Sequence, residues 1–417
     1  MRSFNPSGFV FAKTAFSYVI KPEHEDGHIL ISGGTGTQKT KSVVIPSLIS
    51  WRQRVFTIDM KGELAKRTNF IRPTIKIFNP LDSSSYGYDP YYLLKTTKNQ
   101  AQAAREIALA IVPSEFGVDP YFAEGAQNIL TGAVLHFFNL GYSFIETLLA
   151  IQNTPREYLI DEIFSSDTDK ARSCVKDYVG MDADTFSNIF SGLGNKIIPL
   201  VTDDDLIDCF SRSKNITPDD LEIGFDVYLC IPEEKLKEWQ GLLTLITSQF
   251  MKHFFRRPDN DPSLPPILFL LDEFPSLGKF EDINHALATL RSKKVIICLV
   301  IQDPSQLDVV YGHNSTRVIM ANCSYKAILG CTDPQSQEFY SKLIGTIDEV
   351  RTSQNKSYGG EDTAVVRSTG VSESTQENWI IKPADLAYLP KRNRVVLLSP
   401  NGYECLPKLH FSHKRFR

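Results

Sequence analysis

The sequence has no pair of cysteines in CxxC spacing. Its seven cysteines, Cys174, Cys209, Cys230, Cys298, Cys323, Cys331 and Cys405, are scattered, and Cys230 and Cys298 fall inside apolar runs. That pattern excludes a zinc site and a disulfide frame and reads as buried free thiols in a reducing compartment. The eight histidines show no metal-ligand spacing either. No stretch approaches the roughly 18 apolar residues that cross a bilayer. The longest apolar runs, Ile267 to Leu271 and Val295 to Ile301, have strand length. The opening Met1-Arg2-Ser3-Phe4-Asn5-Pro6 lacks the apolar core of a signal peptide. These absences lead to the expectation of a cytoplasmic chain. Basic charge is missing too. The net charge of −4 over 417 residues means that any contact with nucleic acid needs a local patch or a pore lined by a few lysines and arginines.

What is present is a glycine-rich turn near the start, Ile29-Leu30-Ile31-Ser32-Gly33-Gly34-Thr35-Gly36-Thr37-Gln38-Lys39-Thr40. An apolar strand runs into three glycines, and a lysine and a threonine open a helix through Ser42-Val43-Val44-Ile45. This is the shape of a P-loop, whose backbone N–H groups at a tight turn and helix N-terminus converge on phosphate. Gly33, Gly34, Thr35, Gly36, Thr37, Gln38, Lys39 and Thr40 are therefore nucleotide-binding candidates. Lys39 is expected to reach the terminal phosphates and Thr40 to ligate Mg²⁺. Gln38 stands where glycine usually precedes the lysine and lets phosphate approach the backbone. An ordinary Gly/Thr-rich strand-to-helix turn is the competing reading.

Strand and helix patterns then alternate. A lead-in hairpin is expected over residues 8–32, a bend at Pro46, and strands at Val55 to Ile58 and Ile75 to Phe78. Asp59, Lys61 and Glu63 follow the first of these strands, at the end where ligands sit in α/β sheets. Asp59 and Lys61 join the nucleotide-binding candidates, with a helix N-cap at Asp59 as the alternative. From about residue 98 to 212 helix patterns take over. Asn99 to Val112 comes first, then a helix begun by Asp119-Pro120, then a Ser143…Glu146 capping box and further stretches at 155–164, 168–179 and 183–193. The α/β texture returns with Phe225 to Ile231 and a helix from Pro232 to Phe255.

Ile267-Leu268-Phe269-Leu270-Leu271-Asp272-Glu273 is a Walker B pattern, an apolar strand ending in two carboxylates. Asp272 is expected to hold Mg²⁺ beside Thr40, and Glu273 to orient and deprotonate the attacking water. A helix from Ser276 to Lys294 leads to the strand Val295 to Ile301, and Gln302 at its tip falls where a γ-phosphate sensor belongs. A plain strand-ending polar residue fits that spacing too. Strands follow at Lys326 to Gly330 and Arg394 to Leu398. Residues 349–378, rich in Ser, Thr, Gly and Gln, read as a flexible polar loop. The tail Lys408 to Arg417 interleaves basic and aromatic residues.

Taken together, these motifs resemble the type IV secretion coupling proteins, the TraG/TraD-like conjugative DNA-transfer ATPases. The resemblance covers His28 to about Tyr403. It is carried by His28-Ile29-Leu30, Val43-Val44-Ile45-Pro46, Asp59-Met60-Lys61-Gly62-Glu63-Leu64 and Phe78-Asn79-Pro80-Leu81. It continues through Leu271-Asp272-Glu273-Phe274 with Leu277-Gly278, Gln302 with Ser305-Gln306-Leu307, Tyr311-Gly312, Asn322-Cys323 and Asp333-Pro334. It implies an α/β fold: a RecA-like P-loop NTPase domain over 1–97 and 213–417, interrupted by an all-helical domain over 98–212. It further implies ATP and Mg²⁺ as cofactors and a homo-hexameric ring at the cytoplasmic face of the membrane. The ring would pass relaxase-bound, single-stranded DNA to the secretion channel. By the same resemblance Arg291 matches an arginine that reaches across to a neighbour's nucleotide, and the helical domain meets substrates. The family's transmembrane hairpin has no counterpart here, so membrane association would need a partner or a missing N-terminal anchor. Two other functions stay open: a nucleotide-binding recruitment adaptor that hydrolyses little because of Gln38, and a related RecA-like motor with another cargo.

Overall fold

Apolar runs in this chain become strands because both faces of the sheet are covered. In the order of the chain the strands are β1 (Phe9–Lys13), β2 (Tyr18–Lys21), β3 (Ile29–Gly33), β4 (Arg54–Asp59), β5 (Ile75–Phe78), β6 (Asp226–Cys230), β7 (Ile267–Leu271), β8 (Val295–Ile301), β9 (Tyr325–Gly330), β10 (Thr346–Tyr358), β11 (Val366–Trp379), β12 (Arg394–Ser399) and β13 (Gly402–Pro407). The structure, a computed structural model, describes residues 6–60, 62–114, 120–358 and 366–410. Lys61, the Asp119 start of a helix, and residues 411–417 of the tail lie outside them.

Nine strands form one sheet in the order β13-β12-β9-β3-β8-β7-β4-β6-β5. The seven from β9 to β5 are parallel, and β12 and β13 close one edge antiparallel. Side chains of a strand alternate between faces. On β7, Ile267, Phe269 and Leu271 accordingly join one apolar cluster, and Leu268 and Leu270 join the other. A strand buried on both faces has no polar half, which is why β7 and β8 read as unbroken apolar runs. The second cluster also takes in Val43, Val44, Ile45 and Leu48 behind the glycine-rich turn, and β1 of the small β1–β2 hairpin.

Within residues 98–212 the described residues form seven α-helices: Gln100–Ile111, Tyr121–Asn139, Phe144–Asn153, Arg156–Phe164, Asp169–Val175, Ala183–Val201 and Asp204–Ser211. Asn99 caps the first, its side chain accepting from the Gln102 N–H at 3.3 Å. Ser143 and Glu146 form the capping box read from the sequence. These helices share the first cluster with the sheet: Ile107, Ile129 and Leu193 are buried in the same core as Phe56 and Phe269. No helix among the described residues is long and apolar enough to cross a membrane.

The structure departs from the expected elements at four places. Residues 349–378 are not a loop: β10 and β11 pair antiparallel from Thr346↔Trp379 to Tyr358↔Val366, with residues 359–365 outside the description. Side chains of this ribbon at 346–353 and 371–377 are exposed, so polarity there reported solvation and not irregular backbone. The helix expected from Pro232 begins only at Gln240, after a short 3₁₀ turn at Glu233–Lys235. The one expected over Ser276 to Lys294 is cut into Phe274–Leu277, Ile283–Thr289 and Leu290–Lys293, because Gly278 takes φ +91°. Finally, β13 follows the strand expected to be last.

Candidate nucleotide-binding site

Three neighbouring strands, β3, β8 and β7, run in the same direction, and their registers (Ser32↔Ile301, Leu271↔Leu299) bring their carboxyl ends to one edge. Adjacent strands lie ~4.8 Å apart. The glycine-rich turn and the Asp272-Glu273 tip are therefore about 10 Å apart along the edge, with Gln302 between them.

The turn is built by its small residues. A Cβ at Gly33 would meet Thr37 Oγ1 at 2.7 Å and Leu329 Cβ at 3.1 Å, so only glycine fits. Thr37 closes the loop, its Oγ1 and N–H both donating to the Gly34 carbonyl, at 2.8 and 3.3 Å. Gly34 and Gly36 have no atom within 4 Å of a would-be Cβ, which leaves that face of the loop open. Gly36 takes φ +78° and Gln38 φ +69°. Gln38, which is exposed, thus holds the left-handed backbone that glycine would adopt without cost. Helical structure then starts at Thr40–Val44 in a wide turn and continues at Ile45–Ser50, with Pro46, which has no N–H to donate, at the junction of the two.

Lys39 is buried, and its Nζ donates to the Gly33 carbonyl at 2.5 Å. Burial pulls its pKa down, while Glu273 and Asp272 pull it back up. Asp272 is pushed up to about 6 by burial and then by the neighbouring Glu273, with Lys39 opposing. Two carboxylates crowded at one tip beside a single lysine leave room for another cation. Glu273 sits at φ +48°, a left-handed conformation that strains a non-glycine residue and is typical of functional sites. Gln302 joins the two halves of the site: the Thr35 hydroxyl donates to its Oε1 at 3.2 Å, and its Nε2 donates to Glu273 Oε2 at 3.0 Å. The Gln302 N–H donates to Gln306 Oε1 at 3.1 Å, which fixes the strand tip. A cavity of about 650 Å³ opens beside the loop, lined by residues that include Thr35, Gly36, Gln302, Asp303 and Asp333.

Asp59 and Arg291 are placed otherwise. Asp59 stands next to β7 at the same edge, but its two oxygens accept the N–H groups of Glu63 (3.0 Å) and Ala65 (2.9 Å) at the start of the helix Glu63–Thr68. Asp59 thus holds two N–H groups of the first turn of that helix, whose N-cap residue is Gly62. Lys61 lies outside the described residues. Arg291 is exposed in the turn Leu290–Lys293, ahead of β8, and so at the opposite end of that seven-residue strand from Gln302. At ~3.3 Å per residue that is more than 20 Å from the site of its own chain. One contact went unread in the sequence: Lys408 Nζ donates to the Thr37 carbonyl at 3.0 Å. A lysine beyond the last strand carries no local signal for such a contact.

A parallel sheet with a phosphate-type loop, an acidic tip two strands away and a polar residue between them defines a RecA-like P-loop NTPase carrying an all-helical domain. The plasmid coupling protein TrwB in complex with ADP and Mg²⁺ has the same fold, with a TM-score of 0.75 at 18% identity, over 94% of this chain and 88% of that one. The chain belongs to the family described as "Type IV secretory system Conjugative DNA transfer", whose profile matches residues 7–407. It is similar to VirD4 of Agrobacterium fabrum (strain C58 / ATCC 33970), 25% identical over 405 residues, 94% of this chain and 59% of that protein. It is similar also to the conjugal transfer protein TraG of Escherichia coli, 22% identical over 398 residues, 87% of this chain and 62% of that protein. The chain therefore spans less than two thirds of the length of these curated relatives.

Proposed function

We propose that this chain is the ATP-hydrolysing coupling motor of a type IV secretion system. It would receive a relaxase-bound DNA strand and drive its transfer as a ring at the cytoplasmic face of the membrane. The hydrogen-bond chain Thr35–Gln302–Glu273 carries the reading, because it ties the phosphate loop to the acidic tip through the residue between them. The donor set suits Mg-ATP. TrwB, of the same fold, is described with ADP and Mg²⁺. Thr40 and Asp272 offer the hard oxygen ligands that Mg²⁺ prefers, and the raised pKa of Asp272 marks a carboxylate short of positive charge. Mg²⁺, when bound, neutralises charge on the transferred phosphoryl group.

The chain's own groups divide the remaining work. Backbone N–H groups of Thr35, Gly36 and Gln38 to Thr40 bind the phosphates, and Lys39 leaves the Gly33 carbonyl to pair with them. Glu273 accepts the proton of the attacking water, while Gln302 orients the Glu273 carboxylate and senses the terminal phosphate through Thr35. Arg291, too far from its own loop, would serve the neighbouring chain's nucleotide and stabilise charge developing on the phosphoryl group.

The test is steady-state ATP hydrolysis with and without single-stranded DNA. Turnover should rise with DNA. Lys39→Ala should abolish nucleotide binding, and Glu273→Gln should keep binding while turnover falls by about 10²–10⁴-fold. Normal turnover in both variants would overturn the assignment. The adaptor reading has less support, because Gln38 already holds the backbone conformation that a glycine would take.

A further inference from the structure

The end of the chain returns to the phosphate loop. β13 pairs with β12 at the sheet edge, and Leu406 and Leu409 are buried in the same cluster as Val43 and Val44 of the helix behind the loop. Between those leucines, Lys408 is only 6% exposed, its own N–H donates to the Asn393 carbonyl at 2.9 Å, and its Nζ reaches the Thr37 carbonyl at 3.0 Å. Among the described residues it has no carboxylate partner. A buried cation without a counter-ion is costly, and burial alone pulls its pKa down to about 8. Packing does not require a lysine at this place, since an apolar side chain would fill it at less cost.

The atom it holds precedes the strained residue. In a trans peptide the carbonyl and the following N–H point in opposite directions. Tying the Thr37 carbonyl back to Lys408 therefore turns the Gln38 N–H away from Lys408. That N–H has no protein acceptor among the described residues, whereas the Gln38 carbonyl beyond it accepts from the Ser42 N–H at 2.8 Å. The non-glycine residue at φ +69° is thus held on both sides.

We propose that Lys408 is a positioning residue of the nucleotide site, clamping the Thr37–Gln38 peptide so that Gln38, in place of glycine, presents its N–H to a phosphate oxygen. This rests on the reading of the loop as a nucleotide site. It predicts that the non-glycine loop depends on the clamp and that a glycine loop would not.

The experiment measures binding of a fluorescent ADP analogue with Mg²⁺ to the full chain in a double-mutant cycle. Lys408→Met should weaken binding about tenfold, the loss expected for a hydrogen bond to a charged group. Lys408→Arg, which keeps a donor, should stay within about threefold of wild type. In the Gln38→Gly background, Lys408→Met should cost less than about threefold, because glycine holds the left-handed conformation unaided. The unfolding midpoint without nucleotide should not fall in Lys408→Met, since a buried unpaired charge is removed. Equal losses in both backgrounds, undiminished affinity, or a lowered nucleotide-free midpoint would each overturn the clamp. If wild type itself fails to bind, or Lys39→Ala binds as well as wild type, the nucleotide-site reading fails instead.

Discussion

Gln38→Gly asks whether the departure from the usual loop matters, and the structure gives the expected size of the answer. Gln38 sits at φ +69°, where an L-residue is roughly 1–2 kcal/mol worse off than glycine. Removing the side chain relieves that strain, but it gives the unfolded chain more freedom, a loss of roughly 0.4–1 kcal/mol. The side chain is exposed, so almost no packing is lost. The terms oppose one another, and the net change should be a stabilisation of about 0.5 kcal/mol, near the limit of measurement by urea unfolding. Catalysis should move as little, because the backbone already has the shape that glycine would give it. Expected values of kcat and KM for ATP lie within about threefold of wild type, a barrier change under about 0.7 kcal/mol. Steady-state hydrolysis and urea denaturation of the two proteins check both halves. A tenfold or larger rise in kcat would refute the reasoning, since it would mean that the glutamine side chain crowds the phosphate and holds hydrolysis back.

Other perturbations reach the rest of the fold. Arg72 and Asp226, 5% and 1% exposed, pair at 2.9 Å, and Arg72 also donates to the carbonyls of Leu48 (2.8 Å), Gln53 (3.1 Å) and Trp51; Asp226→Ala strands that buried charge and should cost about 3–5 kcal/mol by urea unfolding. His28 is held neutral, with a pKa lowered to about 4 by burial, and its ring accepts from the Ile297 N–H and bonds the Leu287 carbonyl. The unfolded chain takes up that proton first, so stability should fall by about 3 kcal/mol as pH drops from 6.5 to 4. In His28→Gln, unfolding midpoints should show a flatter slope over this window. Mixing Lys39→Ala with Arg291→Ala chains should recover ATP hydrolysis that neither shows alone, if Arg291 acts on a neighbour. No recovery at any ratio would sink that role.

The site was most legible where its chemistry is contiguous. Glycines, Lys39 and Thr40 must be adjacent to wrap one phosphate group, and the acidic pair must end a strand, so both left short patterns. Strands β7 and β8 were legible because burial on both faces removes every polar residue from them. One error had its signal in plain view: Gly278 in the expected helix 276–294 marked a break. For Asp59 the sequence offered both a nucleotide contact and a helix cap, and its bonds to the Glu63 and Ala65 N–H groups favour the second. The β10–β11 ribbon failed for another reason: polarity reports solvation, and a two-stranded ribbon is solvated whether or not it is ordered.

What local patterns cannot carry is contact between distant positions, and two such contacts reach the loop. Lys408 reaches a carbonyl 371 positions away and Gln302 reaches a hydroxyl 267 away, so neither bond has any periodicity to betray it. Arg291 shows the same limit from the other side. The resemblance alone assigns it to a neighbour's nucleotide, and its place after β7 sets it at the amino end of β8, across the full length of the strand from Gln302. No rotamer spans more than 20 Å. An arginine so placed contributes nothing to the loop of its own chain. Its value for catalysis depends wholly on whether a second chain presents its own carboxyl edge to it.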